Sequence, residues 1–591
     1  MFNTKLLGKF LIWKGKHLRH RQFVYLLSFV IGIAGGLAAV LLKNVVHLMN
    51  HFLTHNLATD KGNLLYLAYP LIGIFLTMIF VKFFVKDNIG HGVSRILFAI
   101  SKTNGILKSH NNYSSLIAGT LTVGFGGSVG LEAPIVLTGS SIGSTLSRVF
   151  RLNYKTTLVL VGCGAAGALA GIFKAPIAAV VFGLEVLMLD ITMWSMIPLL
   201  ISAVTGATIS YFFLGRGVIF SFRLEDPFVL HNIPYYIVLG IFTGLISVYF
   251  TRGTLFLENI FSKYKNPYYK SVIGGTALGL TIFFLPPLYG EGYESLNALL
   301  SGNALELANG SIFYQFRDHI WIFIVFLALI LFFKVVAMAI TNGSGGVGGI
   351  FAPSLFMGGV AGFLVAKIIN LFHFIDVSER NFSLIGMAGV MAGVMHAPLT
   401  AIFLIAEITG GYGLFIPLII TATISYMTIV YFDPHSIYTH RLAQRGELIT
   451  HDKDKAILTL LKISKVLEKD LVTVSPDDTL GDLVKTISRS KRNIFPVVNK
   501  DNMLIGIVLL DNIRHIIFDT EMYHTTFVRD LMTMPPTYVS PNEPMEVVMK
   551  KFEDNNAWNL PVIDNGKYVG FLSKSKLFSV YRKWLVDISD E

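Results

Sequence analysis

Residues 126–139 read GGSVGLEAPIVLTG and residues 345–358 read GGVGGIFAPSLFMG, so Gly127, Gly130, Pro134 and Gly139 fall on Gly346, Gly349, Pro353 and Gly358 at one offset of 219. A second pair follows in the same order. GCGAAGALAGIFKAPIAAVVFGLE from Gly162 matches GMAGVMAGVMHAPLTAIFLIAE from Gly386 at an offset of 222, placing Gly164, Gly167, Gly171, Pro176 and Glu185 on Gly386, Gly389, Gly393, Pro398 and Glu407. Two motif pairs in one order make residues 23–446 two homologous halves, about 23–215 and 231–446. The match alone leaves open whether the halves run parallel or inverted.

Each Gly-rich segment leads into a proline at an expected first helical turn, where its missing N–H costs nothing. A helix start leaves backbone N–H groups free, with the positive end of the helix dipole behind them. Several such starts converging would hold an anion without any fixed cation. Glycine stripes also serve close helix packing in a bilayer, but the recurring Gly-x-x-Ala-Pro at Gly130–Pro134 and Gly349–Pro353 favours the anion reading.

The surrounding chain agrees. Of its 591 residues 53% are hydrophobic and 14% charged, and the mean hydropathy is +0.61, where a soluble globular protein carries about 25% charged residues. Residues 451–591 hold 19 of the 48 basic and 20 of the 37 acidic side chains, which leaves 29 basic and 17 acidic in the first 450. A sparsely charged basic membrane body therefore precedes a neutral soluble tail. The net charge of +11 lies beside apolar segments, where anionic lipid and positive-inside topology account for it and nucleic acid is not needed. Cys163 is the single cysteine, which excludes an internal disulfide and a paired-thiol site.

Lys14, Lys16, Arg19 and Arg21 precede the apolar run Phe23–Leu42, read as a retained first helix after a cytoplasmic basic segment, 1–22. Further apolar runs lie near 64–84, 156–189, 194–214, 233–251, 271–289, 320–340, 354–371, 383–407 and 414–432. Several are interrupted by Gly and Pro, which lipid tolerates only where protein buries the break or it lines a cavity. This predicts a multi-pass transport body in a cell (inner) membrane.

The same residues resemble the CLC family of chloride channels and proton-coupled chloride transporters: GLEAP at Gly130–Pro134, GGIFAP at Gly348–Pro353, and IYTHRLA from Ile437. The resemblance implies a homodimer with one pore per subunit, each built of short tilted helices in two inverted halves. It makes Glu132 the gating carboxylate. It assigns the anion site to Gly130 and Leu131, to the backbone of Gly349, Ile350, Phe351 and Ala352, and to Tyr438. A lone carboxylate at mid-membrane beside a helix N-terminus can act as a tethered anion that competes with chloride.

Three positions depart from the family pattern. GHGVS at Gly90–Ser94 puts His91 where a serine hydroxyl usually contacts the anion and Ser94 where a proline stands; His91 either donates to the anion or turns away and leaves binding to the backbone. Leu131 replaces the basic residue before the gate. Val186 occupies the place of the inner proton-accepting glutamate, directly after Glu185. An aliphatic side chain cannot relay a proton, and Glu185 points about 100° away round a helix, which favours a structural or water-lining role for Glu185 and its repeat mate Glu407. The expectation is passive chloride conduction gated by Glu132. The alternative is proton-coupled exchange of chloride or fluoride by an unusual proton route.

In the tail, residues 447–466 read as linker. LVTVSPDDTL and IFPVVNKDNMLIGIV then recur as PTYVSPNEPM and NLPVIDNGKYVGFL, with Pro476 on Pro541 and Pro496 on Pro561. This predicts an α/β pair, 467–525 and 526–585, which resembles a tandem cystathionine-β-synthase-type (CBS) pair on the cytoplasmic side. Such pairs often hold an adenine nucleotide through an acid after the last strand. Asp511 fits that place in the first copy and Ser575 stands there in the second, so nucleotide binding and a purely structural dimer role both stay open. A CBS-regulated divalent-cation channel needs several membrane carboxylates, whereas Glu132, Glu185 and Glu407 are few and widely spaced. No HExxH or GxSxG motif suggests an enzyme.

Overall fold

The structure is a computed structural model that describes residues 17–55, 64–189, 193–215, 217, 220, 228–373, 375–444, 461 and 463–589. The chain divides into two units, Met1–Leu448 and Ile449–Glu591. The first half of the membrane unit contains α1 (His20–His55), α2 (Tyr69–Ile79), α3 (Gly92–Lys102), α4 (Ser114–Gly124), α5 (Glu132–Val149), α6 (Tyr154–Phe173), α7 (Pro176–Glu185) and α8 (Met193–Leu214). The second contains α9 (Ile233–Ser262), α10 (Pro267–Phe284), α11 (Tyr293–Leu300), α12 (Ile320–Gly343), α13 (Phe351–Leu371), α14 (Glu379–Met395), α15 (Pro398–Ile408), α16 (Phe415–Phe432) and α17 (His440–Gln444). Among the described residues, eight helices are long and apolar enough to cross a membrane.

Two apolar runs read as single spans are each two helices. The run at 156–189 breaks between α6 and α7, and the run at 383–407 between α14 and α15. Both breaks have the same chemistry: a left-handed residue, Lys174 (φ 57°) or His396 (φ 55°), ends one helix, and an Ala-Pro step starts the next. A proline cannot accept the preceding helix's ladder, so the chain stops and restarts at each half's equivalent point.

The halves are joined by reciprocal contacts. Gly130 N–H donates to Gly349 O at 2.9 Å and Gly349 N–H to Gly130 O at 2.7 Å. Ser128 N–H donates to Thr341 Oγ1 (3.3 Å), and its repeat mate Val347 donates to Thr122 Oγ1 (3.0 Å). Glu185 accepts from the N–H groups of Leu399 and Thr400 at the start of α15 (3.0 and 2.7 Å), and Glu407 from Ile177 and Ala178 at the start of α7 (3.0 and 2.8 Å). The starts of α7 and α15 are therefore closed by carboxylates of the opposite half. This corrects the expectation that every Gly-Pro helix start faces an anion, and gives Glu185 and Glu407 their structural role. Within each half, Gly139 packs on the backbone of Gly164 and Gly358 on that of Gly386, so a Cβ at any of them would strike main-chain atoms.

The second unit pairs β1 (Ile494–Val498) with β2 (Leu504–Leu509) and β3 (Asn559–Asp564) with β4 (Lys567–Ser573), both antiparallel. Each copy adds one parallel bridge at equivalent places, Val474 to Val497 and Val539 to Val562. Leu461, Ile463 and Val466, expected in the linker, are buried in the second copy's core; the rest of that linker, 447–460, lies outside the described residues. Apolar side chains at 461, 463 and 466 gain more from that core than from water. Glu468 exchanges backbone hydrogen bonds with Phe571 (2.8 and 2.9 Å), and Arg492 bridges Glu468 and Asp470. The hydrogen bond from Arg492 holds the Asp470 carboxyl below its ordinary value.

Glu185→Ala and Glu407→Ala each orphan two backbone donors, at about 1–3 kcal/mol per buried group. Both variants are expected to lower the thermal midpoint of the detergent-solubilised protein by similar amounts, measured by intrinsic fluorescence on heating.

Candidate anion site

Glu132 is the first residue of α5 and Phe351 the first of α13, and the Gly130–Gly349 pair holds these two helix starts together. The Glu132 side chain is 2% exposed. Its Oε1 accepts from the Tyr293 hydroxyl at 2.8 Å, while Oε2 makes no hydrogen bond of ordinary geometry. Oε2 lies over Gly130 and Gly349, and a Cβ on Gly130 would collide with it. The backbone amides of Glu132 and Ala352 face the carboxylate. The carboxylate of one half thus sits at the helix start of the other, where helix-end partial charge favours an anion.

The expected ligands divide in two. The amides of Gly130 and Gly349 are spent on each other, and Leu131 N–H donates to Glu291 Oε1 at 3.1 Å. These three are corrected from anion donors to framework, because a bonded N–H has no proton left for an ion. Ile350, Phe351 and Ala352 remain at the start of α13, with Phe351 buried and stacked on Phe173 at 5.2 Å. A cavity of about 30 Å³ opens beside them, lined by His91, Ala133, Gly349, Ile350 and Tyr438 among others. Tyr438 is 7% exposed, and its carbonyl accepts from Ser94 Oγ at 2.9 Å. The substituted serine therefore ties α3 to the segment before α17.

His91 stands before α3 in the left-handed region (φ 57°). Its side chain lines the cavity, and Nε2 lies 3.6 Å from Glu258 Oε1. Val186 is buried at the end of α7. Asp511, in the other unit, is exposed and paired with Arg514 at 2.8 Å.

Four charged or polar groups near the site were not singled out from sequence: Glu291, Tyr293, Lys334 and Glu258. Lys334 is fully buried on α12, donates to Ser128 Oγ (2.9 Å) and Gly290 O (3.2 Å), and lies 4.8 Å from the Phe356 ring centroid. Lys334 and Lys43 lie within electrostatic reach of Glu291. The cation missing at Leu131 is thus supplied from another helix, and a lone lysine inside the apolar run 320–340 was its sequence signal.

Residues 73–429 match the family described as voltage gated chloride channel, and residues 463–519 and 528–583 match the CBS domain. The chain belongs to the voltage-gated chloride channel (CLC) family. A CLC relative from Vibrio cholerae, the "H(+)/Cl(-) exchange transporter ClcA", is 29% identical over 416 residues, 68% of this chain and 84% of that protein. The crystal structure of a slow cyanobacterial Cl-/H+ antiporter superposes with a TM-score of 0.62 at 25% identity, covering 73% of this chain and all of that one. A eukaryotic CLC transporter covers 94% of this chain and 97% of its own with a TM-score of 0.59; at 16% identity that likeness concerns the fold.

Tyr293→Phe removes a donor to a charged acceptor, worth about 1.5–3 kcal/mol. The carboxylate then holds its seat less firmly, and anion flux at fixed pH is expected to rise roughly tenfold or more, read as chloride efflux from reconstituted vesicles.

Proposed function

We propose that this protein exchanges chloride for protons across a cell membrane, with Glu132 as the group that both anion and proton displace. The observation that carries the reading is the seat of Glu132. Its carboxylate lies between the helix starts of both halves and bars the small cavity beside Ile350 and Tyr438. A carboxylate there competes with chloride when ionised and releases the site when protonated, which links the two ions at one atom pair. The names of the Vibrio cholerae and cyanobacterial relatives support exchange over the passive conduction expected from Val186.

Passive chloride conduction is the second reading, favoured by the buried valine where a relay carboxylate was expected. We further assign the protein to a homodimer with a pore in each subunit and its CBS pair to the cytoplasm. The pair regulates transport, with adenine nucleotide contacting Asp511; the anion ligands all precede residue 447.

Under a chloride gradient at clamped potential, vesicles holding the protein should take up protons uphill. Glu132→Gln should still pass chloride, with proton movement abolished and little dependence on pH, because an amide carries no charge for protonation to remove. Chloride flux by the unmodified protein with no proton movement would assign it to passive conduction.

A further inference from the structure

Two cavities meet at one pair of side chains. A vestibule of about 290 Å³ is bordered by Asn88, Ser262, Lys270 and Asn342, and the anion cavity of about 30 Å³ by Ala133, Ile350 and Tyr438. Both are lined by His91 and Glu258. The Glu258 side chain is 9% exposed, and its Oε1 is 3.6 Å from His91 Nε2. The anion cavity has room for about one or two water-sized species. It ends at Ala133 and Gly349, beside the Glu132 carboxylate.

A carboxylate on the wall of an anion path repels the ion unless a proton or a cation neutralises it. Glu258 is faced by His91 at the start of α3 and lies within electrostatic reach of Lys270 on α10; Tyr438 shares its cavity. The pair is therefore placed to hold a proton where chloride is also admitted. The residues first considered for that task are elsewhere engaged: Val186 is aliphatic and buried, and both Glu185 oxygens accept hydrogen bonds from α15.

We propose that Glu258, paired with His91, is the proton relay between the vestibule and Glu132. The inference rests on the exchange reading above. A proton from vestibule water binds a Glu258 oxygen with His91 beside it and passes through water in the small cavity to the Glu132 carboxylate. Glu258 returns to its ionised form as Glu132 becomes neutral and leaves its seat. Only O–H bonds are exchanged along the route, and no other co-reactant is required.

The test uses the full chain in phospholipid vesicles, with chloride efflux and proton uptake recorded together by electrodes. In Glu258→Gln the number of chlorides moved per proton is expected to rise at least about tenfold, and in Glu258→Asp, which keeps a carboxylate, to stay within about threefold of the unmodified ratio. An unchanged ratio in Glu258→Gln overturns the relay while leaving exchange standing, as does an aspartate variant that uncouples as fully as the glutamine one. Absence of proton movement in the unmodified protein instead overturns the exchange reading, and the relay with it. If Glu258→Gln carries no chloride, the pH profile of Glu258→Asp decides: a displaced profile supports the relay and an unchanged one overturns it.

Discussion

The two hydrogen bonds between Gly130 and Gly349 lie where the halves meet, and the position of each functional group follows from them. A backbone pair this close requires residues without a Cβ on both sides, since a Cβ at Gly130 would occupy the place of Glu132 Oε2. Once the loops are paired, α5 and α13 start side by side, and each start brings partial positive charge to one point. The same relation recurs outward in the Ser128–Thr341 and Val347–Thr122 bonds and in the Glu185 and Glu407 clasps. Duplication thus acts here as a device for satisfying buried backbone donors, which lipid cannot do.

Charge is arranged around the site without a fixed cation in it. The Glu132 carboxylate leans on amides and on the Tyr293 hydroxyl. Lys334 stands one layer behind, bonded to Ser128 and Gly290. A cation at the ion itself would hold chloride too firmly for turnover, whereas helix-end dipoles attract it and let it go. Glu291, receiving the Leu131 amide, keeps that donor from the ion and helps offset the buried lysine.

Much of this was legible in the sequence. The offsets of 219 and 222 exposed the duplication, Gly-x-x-Ala-Pro located α5 and α13, and the clasping role of Glu185 followed from its repeat mate. What remained hidden depended on three-dimensional neighbours. Nothing in GLEAP shows that the Gly130 and Leu131 amides are spent within the protein, because their acceptors lie 219 and 160 residues away. Glu258 follows the apolar part of a long helix and resembles a solvated helix end in sequence; only the shared cavity walls bring it to His91. The role of residues 461–466 was missed because four helical residues carry too short a pattern to distinguish core from linker.

The central claim is that the Glu132 carboxylate occupies a halide position made by both halves. Anomalous diffraction from crystals grown in bromide, for the unmodified protein and for Glu132→Gln, measures this directly. The account predicts a bromide peak against the amides at the start of α13 in Glu132→Gln that is absent or much weaker in the unmodified protein. Equal bromide occupancy there in both proteins would contradict it.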